Sequence, residues 1–283
     1  MHGGAAATIS CAHVAKRRER GYERLISRPQ GAALSKRQRH FAENFEPERP
    51  RRRRRRRPSL GRWVGRLVLL GLFVLILPYL LIPLYRVEAV KPWSTLMLYD
   101  LVRGETFRRE WVPFDDIAPV LVQSVMMSED GRFCAHEGVD WEALNTVIDE
   151  AMEGERTRGA STIPMQTVKN LYLWPGRFFV RKAMEVPLAL AADYVWSKRR
   201  MMEIYLNVAE WAPGVYGIGA AADHHFGVSA GALSARQAAL LAVTLPNPHR
   251  RDPAVPTSGL QRLAGNIEAR ARQSGAYITC LYG

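Results

Sequence analysis

An uncharged apolar run directly behind a strongly basic segment divides this chain into parts that need different surroundings. The run, Leu67–Leu84, contains 18 residues and no charged side chain. At a rise of ~1.5 Å per residue it nearly crosses the ~30 Å hydrocarbon core of a bilayer, and flanking residues complete the crossing. Trp63 and Tyr85 lie at its ends, where interfacial aromatic side chains are common. We therefore predict one transmembrane anchor over residues 63–85.

The positive charge of the chain is concentrated ahead of this run. The net charge is +13, and residues 1–66 contain 19 basic and 5 acidic side chains, including seven consecutive arginines, Arg51–Arg57. The remaining residues have a net charge of −1. Because basic residues beside a span stay on the cytoplasmic side, we predict that residues 1–58 form a disordered cytoplasmic arm. The chain after the span then lies outside.

A cleaved signal peptide would also combine a basic start with an apolar run. The run in this chain begins late and exceeds the ~7–15 apolar residues of a signal peptide. No A-x-A site follows it closely. We therefore favour an uncleaved anchor.

The three cysteines, Cys11, Cys134 and Cys280, do not form a disulfide framework. Cys11 falls on the predicted cytoplasmic side, where thiols stay reduced. Cys134 and Cys280 would share the outer compartment, so the sequence leaves a disulfide between them open. We expect Cys134 to be a small buried residue.

Helix signals follow the span, after a run at residues 93–101 that is compatible with a strand. Asp116 as N-cap, Pro119 in the first turn and an apolar i, i+4 repeat predict a helix that stops at Gly131. Further helices are indicated near Ser161 or Thr162, near Arg181 with an interruption at Pro187, over Ser197–Val208, and after the capping box of Ser234 and Gln237. The sequence thus predicts a mainly α domain.

An acidic pair, Glu129 and Asp130, ends the first of these helices. The negative end of the helix dipole disfavours the ionised form of Glu129, so we predict a raised pKa. A carboxylate with a raised pKa is a stronger base once it ionises. Taken alone, Glu129 would be interpreted as a surface residue at a helix end. Asp130 is expected to orient Glu129 or the adjacent loop.

The loop after this pair contains four residues with suggestive spacing. His136 and Asp140 resemble metal ligands, but no second His or Cys cluster completes a site, so we predict structural hydrogen bonds and no metal ligands. Phe133 and Trp141 are expected to be core residues.

A Gly-Ser-Thr turn, residues 159–162, opens the next helix. Free N–H groups at a helix N-terminus form a natural anion site. Thr162, Gln166 and Lys169 lie at i, i+4 and i+7 on one polar face, and Lys169 offers a point charge for phosphate. An ordinary capped helix with a solvated lysine is the alternative interpretation.

Five runs of the chain resemble, in order, the signature motifs of the peptidoglycan glycosyltransferases, glycosyltransferase family 51. They are SEDGRFCAHEGVDW, GASTIPMQTVKNL, RKAMEVPLALAADYVW, EIYLNVAEWAPGVYGIGAAADHHFG and LSARQAALLAVTLPNP. The resemblance implies a lysozyme-like α fold, which we place at residues 90–255, with a C-terminal tail at 256–283. Met165, Asp193 and His225 depart from the family's usual residues without removing a proposed catalytic group.

The resemblance implies polymerisation of lipid II into glycan strands, by inverting attack of a GlcNAc 4-hydroxyl on the lipid-pyrophosphate-linked MurNAc C1. Glu129 would be the base and Glu185 a second catalytic carboxylate, although Arg181 and Glu185 could form a simple i, i+4 ion pair. The substrate-binding residues carried over from the resemblance are Ser161, Thr162, Gln166, Lys169, Asn170, Arg181, Lys182 and Asn207.

The resemblance also implies a location and partners. The domain would lie on the periplasmic side of the bacterial inner membrane and would meet lipid II, the growing glycan chain and the membrane. Other cell-wall synthesis proteins stay open as partners, and nucleic acid is not expected. No cofactor follows firmly, and a divalent cation, Mg²⁺ or Mn²⁺, stays open. Neither S-x-x-K nor K-T-G occurs, so we expect a monofunctional enzyme without transpeptidase activity.

Two other functions stay open. A lysozyme-like lytic glycosidase also needs one glutamate, as an acid acting on polymer, but it needs neither an anchor nor a basic cluster. A non-catalytic membrane-anchored protein would use its arginine run to bind anionic lipid or nucleic acid, and this binding would reside in residues 1–58.

Overall fold

The structure is a computed structural model that describes residues 60–154, 159–174, 176 and 179–282. The predicted arm, residues 1–58, lies outside the described residues. The α-helices are α1 Leu60–Tyr85, α2 Thr95–Arg103, α3 Pro119–Glu129, α4 Trp141–Met152, α5 Ile163–Tyr172, α6 Phe179–Val195, α7 Lys198–Val208, α8 Ile218–Phe226, α9 Ala235–Thr244, α10 Ser258–Arg272 and α11 Thr279–Tyr282. The prediction of a mainly α fold is confirmed.

Three short strands form the sheet of the described part, in the order β1-β3-β2. They are β1 Arg108–Arg109, β2 Glu210–Ala212 and β3 Val215–Tyr216. β1 runs parallel to β3, with Arg108 opposite Val215, and β2 runs antiparallel to β3. The sheet joins the segment after α2 to the turn between α7 and α8.

Helix α1 contains the predicted anchor and is long and apolar enough to cross a membrane. It runs through Pro78 and Pro83, and its apolar side chains are largely exposed from Trp63 to Leu80. Ile82, near its C-terminal end, is 1% exposed because it packs into the core of the following domain. From Trp63 to Leu80 the helix therefore presents a largely apolar surface that the described residues leave uncovered.

Hydrogen bonds attach the C-terminal end of α1 to the domain. The last carbonyls of a helix lack intrahelical partners. The indole of Trp196 donates to the carbonyl of Ile82 at 2.6 Å, and the guanidinium of Arg200 donates to those of Tyr85, Val87 and Val90 at 2.9, 3.0 and 2.6 Å. Arg200 is buried and also pairs with Glu203 at 2.8 Å. These contacts satisfy the helix end and hold it against the domain.

The run that we considered a strand, residues 93–101, is helical from Thr95 onward, so that prediction is wrong. Ser94 caps α2 by accepting a hydrogen bond from the N–H of Met97, and Gly104 ends the helix in the left-handed conformation. Met97 is fully buried, while Leu98, Leu101 and Val102 are exposed. Local caps therefore outweighed the β-branched and aromatic composition of the run.

Helix α3 lies at the centre of the domain and packs against α9 and α10. Its Leu121, Val122, Val125 and Met126 are fully buried. The predicted N-cap was wrong: Ala118 occupies that position, and Asp116 ends a separate 3-10 turn, Phe114–Asp116. The predicted capping box of Ser234 and Gln237 at the start of α9 is confirmed.

Helices α5, α6 and α7 pack together on the other part of the core, with α5 between α6 and α7. Thr162 and Ser197 cap α5 and α7, at the helix starts that the sequence indicated. The predicted interruption at Pro187 was wrong, because α6 continues through this residue. Burial of Leu188, Ala189 and Ala192 against the domain offsets the lost backbone hydrogen bond.

Residues 256–282, which we placed in a tail, pack against the same core. Leu260, Ala264 and Ile267 of α10 belong to the central apolar cluster, and Leu281 of α11 is 2% exposed. A disulfide joins Cys280 to Cys134, with Cα atoms 5.6 Å apart. Cys134 is thus a half-buried bonded residue, and our expectation of a small buried residue was wrong.

Candidate active site

Glu129 is the last residue of α3 and lies at the floor of a cleft. Its carboxylate accepts hydrogen bonds at 3.1 Å from the Ser128 hydroxyl and at 3.1 Å from the Gln166 amide. Burial raises the pKa of Glu129, while those two hydrogen bonds and the charges of Lys169 and Arg251 act in the opposite direction. The direction agrees with our prediction, and burial is its largest cause.

A buried tyrosine orients the group that holds Glu129. The hydroxyl of Tyr205 donates to Gln166 Oε1 at 3.2 Å, which turns the Gln166 amide nitrogen toward Glu129. Burial raises the pKa of Tyr205 well above its ordinary value, so its hydroxyl keeps the proton that it donates. Sequence reasoning missed Tyr205, because a tyrosine within an apolar helix has no local signal that separates it from a core residue.

Asp130 ties the loop after α3 to the start of α5. Its buried carboxylate contacts His136 Nε2 at 3.0 Å and accepts a hydrogen bond from the N–H of Ile163 at 2.9 Å. His136 therefore has the predicted structural contact. Among the described residues, no group of three or more His, Cys, Asp or Glu side chains could hold a metal ion.

Thr162 is 3% exposed, and its hydroxyl is already occupied. It donates to the carbonyl of Gly138 at 2.6 Å and accepts from the N–H of Met165 at 3.4 Å. Gly138 has φ +69°, and a Cβ on it would lie 2.9 Å from the carbonyl carbon of Ala189. Thr162 thus fixes the loop against the start of α5. It also lines the cavity beside Glu129, and its substrate-binding role stays a prediction.

Three basic side chains surround one buried carboxylate at the start of α6. Glu185 is 3% exposed and pairs with Arg181 and, at 3.0 Å, with Lys182. Lys182 also donates to the Ser161 hydroxyl at 2.9 Å. Burial lowers the pKa of Lys169. The charge of Glu185 raises this pKa, and the charges of Arg181 and Lys182 lower it. The cluster has two more positive than negative charges, which suits a doubly charged anion.

The basic cluster offers no fit for a divalent cation. Such ions need several free oxygen ligands. Both oxygens of Glu185 face basic side chains, Oε1 the Arg181 guanidinium and Oε2 the Lys182 ammonium. The mechanism proposed below therefore contains no chemical step at a metal ion.

Two cavities open on these groups. One of about 240 Å³ has Glu129 in its wall, and its other lining residues are Asp130, Gly131, Arg132, Asp140, Ala143, Gly159, Ala160, Ser161 and Thr162. The other, of about 190 Å³, is lined by Thr95, Leu96, Lys169, Asn170, Leu173, Trp174, Gly176 and Arg181. Ser161 faces the first cavity and bonds to Lys182, so the acid and the basic cluster belong to one connected region.

Asn207, whose substrate-binding role stays a prediction, is held by backbone hydrogen bonds. It is fully buried, accepts from the N–H of Val112 at 2.8 Å, and donates to the carbonyls of Val112 and Glu203 at 2.8 and 2.9 Å. Because its amide is engaged by backbone, it joins α7 to the segment before the first 3-10 turn.

The expected core position of Phe133 is observed, whereas Trp141 is 52% exposed at the start of α4.

Arg251 is a further residue of the site that the sequence did not indicate. Its charge acts on Glu129, and its guanidinium donates to the carbonyl of Val243 at 2.6 Å, which anchors it to α9. It lies beyond the five runs that we identified.

Chemically, the site combines a buried carboxylate suited to proton removal with a basic surface suited to a leaving diphosphate.

Comparison with known proteins assigns the chain to a family. The transglycosylase family model matches residues 97–272. The biosynthetic peptidoglycan transglycosylase of Rhizobium meliloti is 66% identical over 232 residues, which cover 78% of this chain and 98% of the relative. The proteins of the same name from Agrobacterium fabrum and Brucella suis are 63% and 58% identical over 216 and 206 residues, which are 76% and 73% of this chain and 96% and 92% of the relatives.

Proposed function

This chain belongs to the transglycosylase family and is a peptidoglycan glycosyltransferase, and from that premise we propose that it polymerises lipid II with Glu129 as general base. Glu129 removes the proton of a GlcNAc 4-hydroxyl as the hydroxyl oxygen attacks C1 of the MurNAc on the growing chain. The bond from C1 to the lipid pyrophosphate breaks on the opposite face, so the configuration inverts from α to β.

The observation that carries this proposal is the pairing of a buried acid with a nearby basic cluster. Gln166 holds Glu129, and Lys169 follows three residues later on the same helix, α5. Lys169 acts electrostatically on both Glu129 and Glu185. A base and a site for a departing anion therefore lie close enough to serve one displacement reaction.

The leaving pyrophosphate would be stabilised by Lys169, Arg181 and Lys182. Preorganised cations at the place where charge develops are worth more in a partly desolvated cleft than in water. Glu185 holds Arg181 and Lys182 in position and so acts through them, while Ser161 holds the Lys182 ammonium and Asn170 lines the same cavity as Lys169. In this mechanism positioning and charge stabilisation supply most of the rate.

Membrane anchoring by α1 suits a lipid-linked substrate. The apolar surface of α1 and the hydrogen bonds from Trp196 and Arg200 would hold the cleft near a bilayer. The arginine run before α1 favours a cytoplasmic N-terminus and a periplasmic domain at the inner membrane. The Cys134–Cys280 disulfide supports that side, because such bonds persist in oxidising compartments.

Incubation of the full-length protein with purified lipid II tests this function. We expect long glycan chains, resolved by gel electrophoresis, and no soluble fragments from purified sacculi. Release of muropeptides from sacculi without polymer from lipid II would instead assign the chain to the lytic glycosidases, in which the same glutamate acts as an acid.

The hydrogen bond from Ser128 is expected to set the acid limit of the reaction. Glu129 must be ionised to remove a proton, so kcat/KM falls as the pH drops through its raised pKa. The Ser128 hydroxyl stabilises the carboxylate, and Ser128→Ala therefore raises this pKa and moves the acid limb to higher pH. Initial polymerisation rates across a pH series measure the shift.

The matched control is Ser229→Ala, which removes an exposed hydroxyl far along the chain from Glu129. This variant should keep the acid limb of the unmodified protein. An unchanged limb in Ser128→Ala would show that the hydroxyl does not stabilise the ionised base.

A further inference from the structure

A second cavity, which the proposed mechanism does not use, lies next to the cavity beside Glu129. Both contain Gly131 and Arg132 in their walls. The second, of about 310 Å³, is completed by Met127, Arg270, Gln273 and Tyr277. We name this second cavity, with its six lining residues, the Arg270 groove. It extends from the C-terminal end of α3 to the end of α10 and the turn that follows it.

Arg270 brings a positive charge that the described part of the chain leaves uncompensated. Neighbouring arginines are paired: Arg272 and Arg236 with Glu268, at 3.7 and 3.8 Å, and Arg132 with Glu142, at 2.5 Å. Among the described residues, Arg270 has neither an ion pair nor a hydrogen-bond acceptor. Its Nη2 lies 3.3 Å from the position that a Cβ on Gly131 would occupy. A free guanidinium thus faces the residue two positions after Glu129.

The rest of the groove suits a peptide more than a simple anion. Gln273 offers an amide donor and acceptor, and Tyr277 is an aromatic side chain with 59% of its surface exposed. Aromatic and amide groups beside a guanidinium match a short chain of peptide bonds that bears carboxylates. The basic cluster of Lys169, Arg181 and Lys182 already suits the diphosphate. We therefore expect the groove to bind a different anionic part of the substrate.

We propose that the Arg270 groove binds the carboxylate-bearing peptide on the MurNAc of the disaccharide unit that lies at Glu129, with Arg270 as a specificity-determining residue. This inference rests on the proposed function, because it takes a peptidoglycan precursor as the substrate. The GlcNAc whose 4-hydroxyl reacts at Glu129 fills the first cavity, and the peptide on the MurNAc linked to it passes Gly131 into the groove. Arg270 pairs with a carboxylate, Gln273 bonds the peptide backbone, and Tyr277 packs on its apolar parts.

The test compares three substrates with the full-length protein: lipid II with its natural peptide, the same molecule with amidated peptide carboxylates, and the lipid-linked disaccharide without peptide. We expect Arg270→Ala to raise KM for natural lipid II about tenfold, the effect of one exposed charge-assisted hydrogen bond, with kcat changed by less than about twofold. KM for the amidated and peptide-free substrates should stay unchanged. Arg270→Gln, which keeps most of the side-chain volume, should behave in the same way.

The matched control is Arg272→Ala, which removes a guanidinium of the same helix that pairs with Glu268 outside the groove. It should leave KM unchanged for all three substrates. The inference is overturned if Arg270→Ala and Arg270→Gln change KM equally for all substrates, or for none. If the unmodified protein polymerises none of the three, the proposed function fails and the inference fails with it. If every variant polymerises all three substrates with the same KM, the inference about the groove fails while the proposed function stands.

Discussion

Glu129→Gln is expected to stop glycan polymerisation almost completely. Glutamine keeps the size of the side chain, and its single amide oxygen still accepts the hydrogen bond that Gln166 donates to Glu129 at 3.1 Å. Its NH2 group takes the place of the other carboxylate oxygen and faces the Ser128 hydroxyl, which accepts from it. It cannot take a proton from a sugar hydroxyl at neutral pH. General-base catalysis contributes about 10²–10⁴-fold to a rate, so we expect kcat to fall by that factor. Polymer formed from lipid II over a time course gives the measurement.

The basic cluster is intact in this variant, so lipid II should still bind with similar affinity. Glu137→Gln is the matched control, because it makes the same chemical change at an exposed residue of the same loop. Glu137→Gln should polymerise at the rate of the unmodified protein. Retention of more than about a tenth of kcat by Glu129→Gln would be too much activity for a variant without its general base.

The second large effect concerns stability, and it is expected when the Cys134–Cys280 bridge is removed. The bridge closes a loop across a sequence separation of 146 residues, so it restricts the unfolded chain strongly. We expect the double variant Cys134→Ser, Cys280→Ser to lose about 2–5 kcal/mol of unfolding free energy. Denaturant titration of the purified protein in detergent, followed by far-UV circular dichroism, measures the loss.

The bridge also has a local consequence. Cys134 lies in the loop that follows Glu129, and Cys280 lies in α11, where Leu281 is buried and Tyr282 contacts Phe114 with ring centroids 5.5 Å apart. Cys11→Ser is the matched control, since it removes a cysteine that takes no part in the bridge. Equal denaturation midpoints for the double variant and the unmodified protein, measured without a thiol reductant, would contradict this expectation. With a reductant the two midpoints should agree, because the reductant breaks the bridge.

Several helix starts were predictable because their signals act within one turn. The hydroxyls of Thr162, Ser197 and Ser234 each accept a backbone N–H three residues later, as capping residues do. The error at Pro187 arose because distant packing decides the outcome there. Pro187 is tolerated inside α6 because neighbouring residues of that helix, Leu188, Ala189 and Ala192, are buried against the domain. No residue near Pro187 in the sequence indicates the surfaces against which these residues pack.

Motif spacing likewise brought out Glu129, Lys169 and Arg181, since each belongs to a continuous run whose order resembles a known family. The chemical surroundings of these three residues could not be predicted from the motifs. The burial that raises the pKa of Glu129 comes from the packing of α3 against separate helices. The same limit explains Asn207, whose amide is occupied by Val112, a residue 95 positions away.

Patterns within single segments were thus sufficient for the apolar span, the charge asymmetry, most helices and the family to which the chain belongs. Such patterns arise from backbone hydrogen bonds and side-chain periodicity, which depend on near neighbours. Folding of the whole chain was required to bring Tyr205 to Gln166, Arg251 to Glu129, Arg270 to Gly131 and Cys280 to Cys134. These contacts join distant segments, and burial and Coulomb energies depend on distance in space rather than on separation along the chain.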